Sequence, residues 1–269
     1  MRARVNGVEL AYEIRGTGPR VIWAHGLGSS REGDRDIIEA LADRFNVLAW
    51  DARGHGASSP VRDPGGYSYP RMTDDAVAIL DELDRRDAIM AGTSMGAGVL
   101  GRTAALRPDL AAGLAVIRPA AMGPDGRAPE WLRFLFSGGA AAMRDGGLDG
   151  AIAFLRSIPL ARRALEAEPG RLEALREEWG QHDPLSIAAA LEGMPASTPL
   201  EGGVDGSSIG CPVVIVPGVD LIHPEESAIA TAAMIPNARL LPAFGPIARA
   251  QEVKAIVSMV EDLASEVAV

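Results

Sequence analysis

The stretch Asp87-Ala-Ile-Met-Ala-Gly92-Thr-Ser94-Met95-Gly96-Ala97-Gly98 runs from a short apolar segment, through glycine-spaced small residues, into Val99, Leu100 and Ala104. The apolar segment reads as a buried strand and the residues after Ser94 as a helix, so the serine falls at the turn between them. Glycines two positions before and two after it have a physical purpose there. Such a turn forces a strained backbone on the serine and draws two backbones so close that a Cβ at either glycine would collide. The result is a nucleophile elbow, with the hydroxyl presented above the strand end. Gly-x-Ser-x-Gly recurs by chance in many chains, and the bland alternative is a tight turn with an inert serine. What gives it meaning here is the strand before and the helix after. At that helix start the N–H of Met95 faces the space above Ser94 Oγ, where the positive end of the helix dipole favours an anion.

Around this turn, apolar β-branched runs at 20–24, 46–50, 114–117, 213–216 and 239–241 alternate with amphipathic stretches at 35–44, 71–85, 225–234 and 251–264. That alternation predicts an α/β fold, a mostly parallel sheet covered on both faces. Asn6-Gly7 suits a two-residue hairpin, so the chain starts antiparallel. From 121 to 208 the strands disappear. Helical stretches punctuated by Pro and Gly are expected at 129–138, 148–157, 160–168, 171–179 and 184–191. The organisation expected is a core of residues 1–120 and 209–269 with an all-helical cap, 121–208, as a lid over the carboxyl ends of the strands.

The 269 residues, 47% hydrophobic and 23% charged, suffice for a large core. The net charge of −10 is spread without long single-sign runs, which argues against nucleic acid or an anionic membrane as partner and leaves a small-molecule substrate. No apolar run approaches a membrane span, and the first residues lack the apolar region of a signal peptide, so a cytoplasmic protein is expected. The single cysteine, Cys211, reads as a small apolar residue. A homodimer stays open.

Two further turns carry chemistry-bearing residues. In His25-Gly26-Leu27-Gly28, directly after an apolar strand, glycine-rich backbone can turn the Leu27 N–H inward as a second donor to an oxyanion. His25 itself lies beside that donor and reads as a buttress of the turn. In Asp51-Ala-Arg53-Gly-His55-Gly56 an Asp51–Arg53 pair would fix the loop, with His55 as a turn residue. With these three motifs in order, the chain resembles the α/β-hydrolase superfamily along nearly its whole length. The resemblance implies an eight-stranded sheet, a serine nucleophile at Ser94, an acid after the seventh strand and a histidine after the eighth. Asp220, in Pro217-Gly-Val-Asp220-Leu-Ile-His223-Pro224, matches the family's acid loop, although it could also cap the helix that follows.

The histidine departs from the pattern. After the eighth strand the chain reads Leu241-Pro-Ala-Phe-Gly245-Pro246-Ile-Ala-Arg, with Pro246 roughly where the family's base is expected. Three readings follow. His223, three residues beyond Asp220 and held extended by Pro224, could serve as base or merely line the pocket. His182, in Gln181-His182-Asp183-Pro184, could reach down from the cap. Or no base exists, and the pocket stabilises an enolate or holds a ligand. The function expected is a serine-dependent hydrolase of a small apolar ester, thioester or lactone, with Ser94, Asp220 and His223 catalytic and no cofactor or metal. The alternatives are a cofactor-independent lyase or cyclase, or a non-catalytic binding protein. Trp131, Phe134, Leu135 and Phe136 are the expected roof of the pocket.

Overall fold

The computed structural model describes residues 1–122, 126–167, 170–245 and 247–267. Strands β1 (Arg2–Val5) and β2 (Val8–Arg15) form a hairpin in which Val5 faces Val8. Asn6 and Gly7 both take positive φ, 47° and 79°, as a tight two-residue turn of this hand requires. The chain then alternates β3 (Arg20–Ala24), α1 (Arg35–Ala42), β4 (Asn46–Trp50), α2 (Tyr69–Glu82), β5 (Ala88–Thr93), α3 (Met95–Leu106) and β6 (Ala111–Ile117). Four helices follow, α4 (Glu130–Ser157), α5 (Pro159–Ala167), α6 (Arg171–Gly180) and α7 (Pro184–Gly193). The sheet resumes with β7 (Val213–Val216), α8 (Glu225–Met234), β8 (Ala238–Leu240) and α9 (Arg249–Val267).

The eight strands form one sheet in the order β1-β2-β4-β3-β5-β6-β7-β8. Both pairings of β2 are antiparallel, and every pairing from β4 to β8 is parallel. Successive residues of a strand face opposite sides, and the core divides accordingly. Ile22, Leu48, Met90 and Ile215 pack under α2 and α3, whereas Val21, Trp23, Ile89 and Val214 pack under α1 and α9. Burial on both faces is why these strands read as continuous apolar runs instead of alternating ones. Their carboxyl ends all open on one edge of the sheet, which is where the turns after β3, β4, β5 and β7 meet.

Between β6 and β7 the described residues contain helices and no strand. The stretches expected at 129–138 and 148–157 are the outer parts of a longer α4, broken at Gly147 (φ 60°, ψ −150°). Residues 139–146 are helical too, carried by Ala140, Ala141, Ala142 and Met143, which are good helix formers. Gly138-Gly139 hides them in the sequence. The glycine is needed for contact: a Cβ at Gly138 would stand 2.1 Å from the Phe154 ring folded back against it. Residue 168, the expected end of α5, and Pro246 lie outside the described residues. No helix among them is long and apolar enough to cross a membrane.

One expected contact is replaced. Asp51 and Arg53 do not pair with each other. The Arg53 guanidinium donates to both oxygens of Asp75 on α2, at 2.7 and 2.8 Å, and Asp51 accepts from the backbone of Arg31 (2.8 Å) and Ala57 (2.9 Å). A planar fork meeting two carboxylate oxygens side by side is a better match than a neighbour two residues away on the same turn.

Candidate active site

Ser94 sits between β5 and α3 with φ 52° and ψ −116°, a backbone region that side chains other than glycine rarely adopt. The flanking glycines make it possible. A Cβ on Gly92 would come 2.8 Å from the Gly96 carbonyl carbon, and one on Gly96 would come 2.3 Å from the Ala24 oxygen of β3. The sharp turn lifts Oγ out of the sheet and leaves it on a cavity of about 1470 Å³ between the strand ends and α4–α7. Leu132, Phe136, Leu175, Leu191 and Met194 supply much of the apolar lining.

The turn after β7 brings an imidazole to this hydroxyl. His223 Nε2 lies 3.0 Å from Ser94 Oγ, and its Nδ1 lies 3.0 Å from each oxygen of Asp220. A carboxylate only accepts, so the Nδ1 must carry the proton and Nε2 must present its lone pair to the serine O–H. Asp220 Oδ1 also accepts the backbone N–H of Ile222 (2.8 Å) and His223 (2.9 Å). One aspartate thus shapes the turn and orients the ring. Partial burial would raise its pKa, but the His223 ring and the two backbone donors outweigh that and hold Asp220 at about 2. Its negative charge is therefore present throughout the neutral range.

Leu27 and Met95 both line the same cavity, and the backbone N–H of each is without an acceptor among the described residues. Met95 N–H is the first of α3, and Leu27 N–H lies in the turn after β3. The peptide unit that carries the Leu27 N–H has its carbonyl, Gly26 O, pulled the other way by Ser29 N–H (3.1 Å) and His25 Nδ1 (2.7 Å).

The remaining expected residues are elsewhere. His25 is 3% exposed and supports the turn from behind, with Nε2 accepting the Ala52 N–H at 2.9 Å, so it does not contact the large cavity. His55 is fully buried. His182 does not reach over Ser94: its two ring nitrogens are engaged by Gly56 N–H and Gly28 O. Trp131 and Phe134 are not the roof. They are 42% and 69% exposed on the outer side of α4, and Leu132, Leu135, Phe136 and Gly139 face the cavity instead. Positions 132, 135, 136 and 139 follow helical spacing, a signal present in the sequence but overshadowed by the larger aromatic residues. Gly218 is a residue that motif reading passed over. A Cβ there would stand 2.4 Å from both the Cβ and the carbonyl oxygen of His223, so only glycine lets the turn fold tightly enough to bring the ring inward.

Comparison with known proteins agrees with this architecture. Residues 19–143 match the family model described as alpha/beta hydrolase fold; the match includes Ser94 and ends before Asp220 and His223. A non-heme chloroperoxidase from Kitasatospora aureofaciens is 38% identical over 98 residues, 36% of this chain and 35% of that protein. A 2-(acetamidomethylene)succinate hydrolase from Mesorhizobium japonicum is 33% identical over 109 residues, 40% of this chain and 38% of that protein. The chain thus spans little more than a third of the length of these relatives. Among solved structures, the enol-lactonase from Burkholderia xenovorans LB400 superposes with a TM-score of 0.79 at 25% identity, covering 98% of this chain and all of that one.

Proposed function

The chain belongs to the α/β-hydrolase superfamily, and from that premise we propose that it is a serine hydrolase whose base is His223, carried on the turn after the seventh strand together with its acid, Asp220. The observation that carries this reading is the contact of His223 Nε2 with Ser94 Oγ at 3.0 Å while Nδ1 is held by Asp220. That is the distance and the tautomer a general base needs. Ser94 Oγ attacks a carbonyl carbon as its proton passes to Nε2. The oxygen that becomes negative is received by the N–H groups of Leu27 and Met95. Asp220 stabilises the imidazolium, which then protonates the leaving group at its oxygen or, in a thioester, its sulfur as the bond to the acyl carbon breaks. Water, deprotonated by the same ring, attacks the acyl-serine ester, releases the acid and restores Ser94.

The substrate class proposed is an ester, thioester or lactone with an apolar acyl or alkyl portion. A cavity of about 1470 Å³ exceeds the roughly 300–1,000 Å³ of ordinary small-molecule pockets, so the room extends beyond the smallest esters. The helices α4–α7 act as the cap that encloses it. A fluorophosphonate probe, detected by intact mass, tests the reading. Wild type gains one adduct and Ser94→Ala gains none, with ester hydrolysis falling at least about 10⁴-fold. An unlabelled wild type would instead favour a ligand-binding role.

A further inference from the structure

Three of the four histidines take no part in this chemistry, and they stand together. The ring centres of His25 and His55 are 5.2 Å apart, and those of His55 and His182 are 5.6 Å apart. Each ring bridges the same two turns, the one after β3 and the one after β4. His25 donates from Nδ1 to Gly26 O (2.7 Å) and accepts the Ala52 N–H at Nε2 (2.9 Å). His55 accepts the Gly28 N–H at Nε2 (3.2 Å) and donates from Nδ1 to Arg53 O (2.9 Å). His182 donates from Nε2 to Gly28 O (2.9 Å) and accepts the Gly56 N–H at Nδ1 (2.8 Å). All three are rungs of one ladder, and a rung with one donor and one acceptor is a neutral imidazole.

The ladder bears on Leu27. A trans peptide unit is planar, so the Leu27 N–H points away from wherever Gly26 O is held. The next units are pinned through the N–H and the C=O of Gly28, whose φ of +77° is the third-position geometry of a turn closed by Ser29 N–H on Gly26 O. His25 and His55 belong to the turns they join. His182 does not: it arrives from the helical segment, between α6 and α7, 154 residues from the carbonyl it holds. Two neighbours in sequence press on the same place. A Cβ on Gly28 would lie 2.8 Å from Trp179 Nε1, and Gln181 Oε1 accepts from Ser30 Oγ at 3.1 Å.

We propose that His182 is a positioning residue for the oxyanion hole: by fastening the helical segment to Gly28, it aims the Leu27 N–H at the reacting carbonyl only while that segment is seated. This rests on the serine-hydrolase reading of Ser94 and Leu27. A lid that only covers substrate changes how tightly substrate is held, whereas one that aims a donor changes the chemical step.

Two isosteric halves of the ring separate these. His182→Asn places an amide near the Nδ1 position and can still accept from Gly56, but loses the donor to Gly28. His182→Gln places its amide N–H near the Nε2 position and keeps that donor. On a p-nitrophenyl ester, His182→Asn is expected to lower kcat about 10- to 100-fold with KM within about threefold of wild type, and His182→Gln to recover most of the rate. Hydrogen–deuterium exchange at residues 26–30 should rise in His182→Asn and not in His182→Gln. A pair of variants with wild-type kcat, or with KM alone raised, overturns the proposal while leaving the hydrolase reading intact. A wild type that neither hydrolyses the ester nor takes the fluorophosphonate overturns the hydrolase reading. The exchange measurement then judges the fastening by itself, and equal exchange in both variants and wild type rejects it.

Discussion

The turn after β7 holds one imidazole, and the paired turns after β3 and β4 hold three. The ring is the same, and the difference lies in what it touches. His25, His55 and His182 are bonded at both nitrogens to backbone groups, whose protonation cannot change, in sites from 0% to 8% exposed. His223 is bonded at both nitrogens to side chains, a carboxylate and a hydroxyl, and its own side chain is 19% exposed. A ring between backbone groups is a strut; a ring between a carboxylate and a hydroxyl can pass a proton. Burial reinforces the division. It pushes the pKa of His55 well down, helped by the neighbouring His25, and lowers that of His182 as well.

The sharpest way to break this division is at His223. In His223→Ala, kcat/KM on an ester should fall about 10²- to 10⁴-fold, the span of a positioned proton transfer, while the melting temperature stays close to that of wild type. A comparable loss of stability would make His223 a strut like the others. Gly218→Ala sharpens the same point without touching a titrating group. The added methyl must move His223, and the rate of fluorophosphonate labelling should drop about 10- to 100-fold. Unchanged labelling would mean that the tight turn is not what delivers the ring.

The smallest effect concerns the struts. A histidine whose folded pKa is depressed contributes stability that is complete above its ordinary value of 6.5 and is lost as pH falls toward the folded value, because the unfolded chain takes up the proton first. Each such ring costs at most about 1.4 kcal/mol per pH unit in that window. Asp34 and Glu178, whose carboxyls burial pushes up, act in the opposite sense and lose stability as pH rises. The informative quantity is therefore a difference. Thermal melts of His182→Gln, which keeps the His25 and Asp51 that face the ring, should depend less steeply on pH below 6.5 than those of wild type. Parallel curves would show that His182 does not titrate with unfolding.

Much of the architecture was legible because it is local. Asn6-Gly7 specifies its hairpin, and the glycines around Ser94 announce a close approach that can be measured as 2.3 Å at Gly96. The apolar runs of the central strands need no partner to be recognised. What escaped was long-range or rotational. Arg53 finds Asp75 on another element, and His182 finds Gly28 and Gly56 across more than a hundred residues; no spacing encodes either. Trp131 and Phe134 were drawn to the cavity by their size, but the face of a helix is set by the stripe that repeats, here Leu132, Leu135, Phe136 and Gly139. For His223 the sequence supplies the neighbours Asp220 and Pro224 and leaves open which way the ring turns. The distance of 3.0 Å to Ser94 depends on the tight backbone at Gly218.

Asp220 and His223 stand on one short link between β7 and α8, so the acid and the base of the proposed reaction move as a single cassette. That proposed reaction draws no group from the described residues of the link between β8 and α9, where Gly245 and Ile247 line the cavity. A protein engineer could widen, shorten or re-letter that second link to admit different substrates, while the proton relay stays anchored on the first.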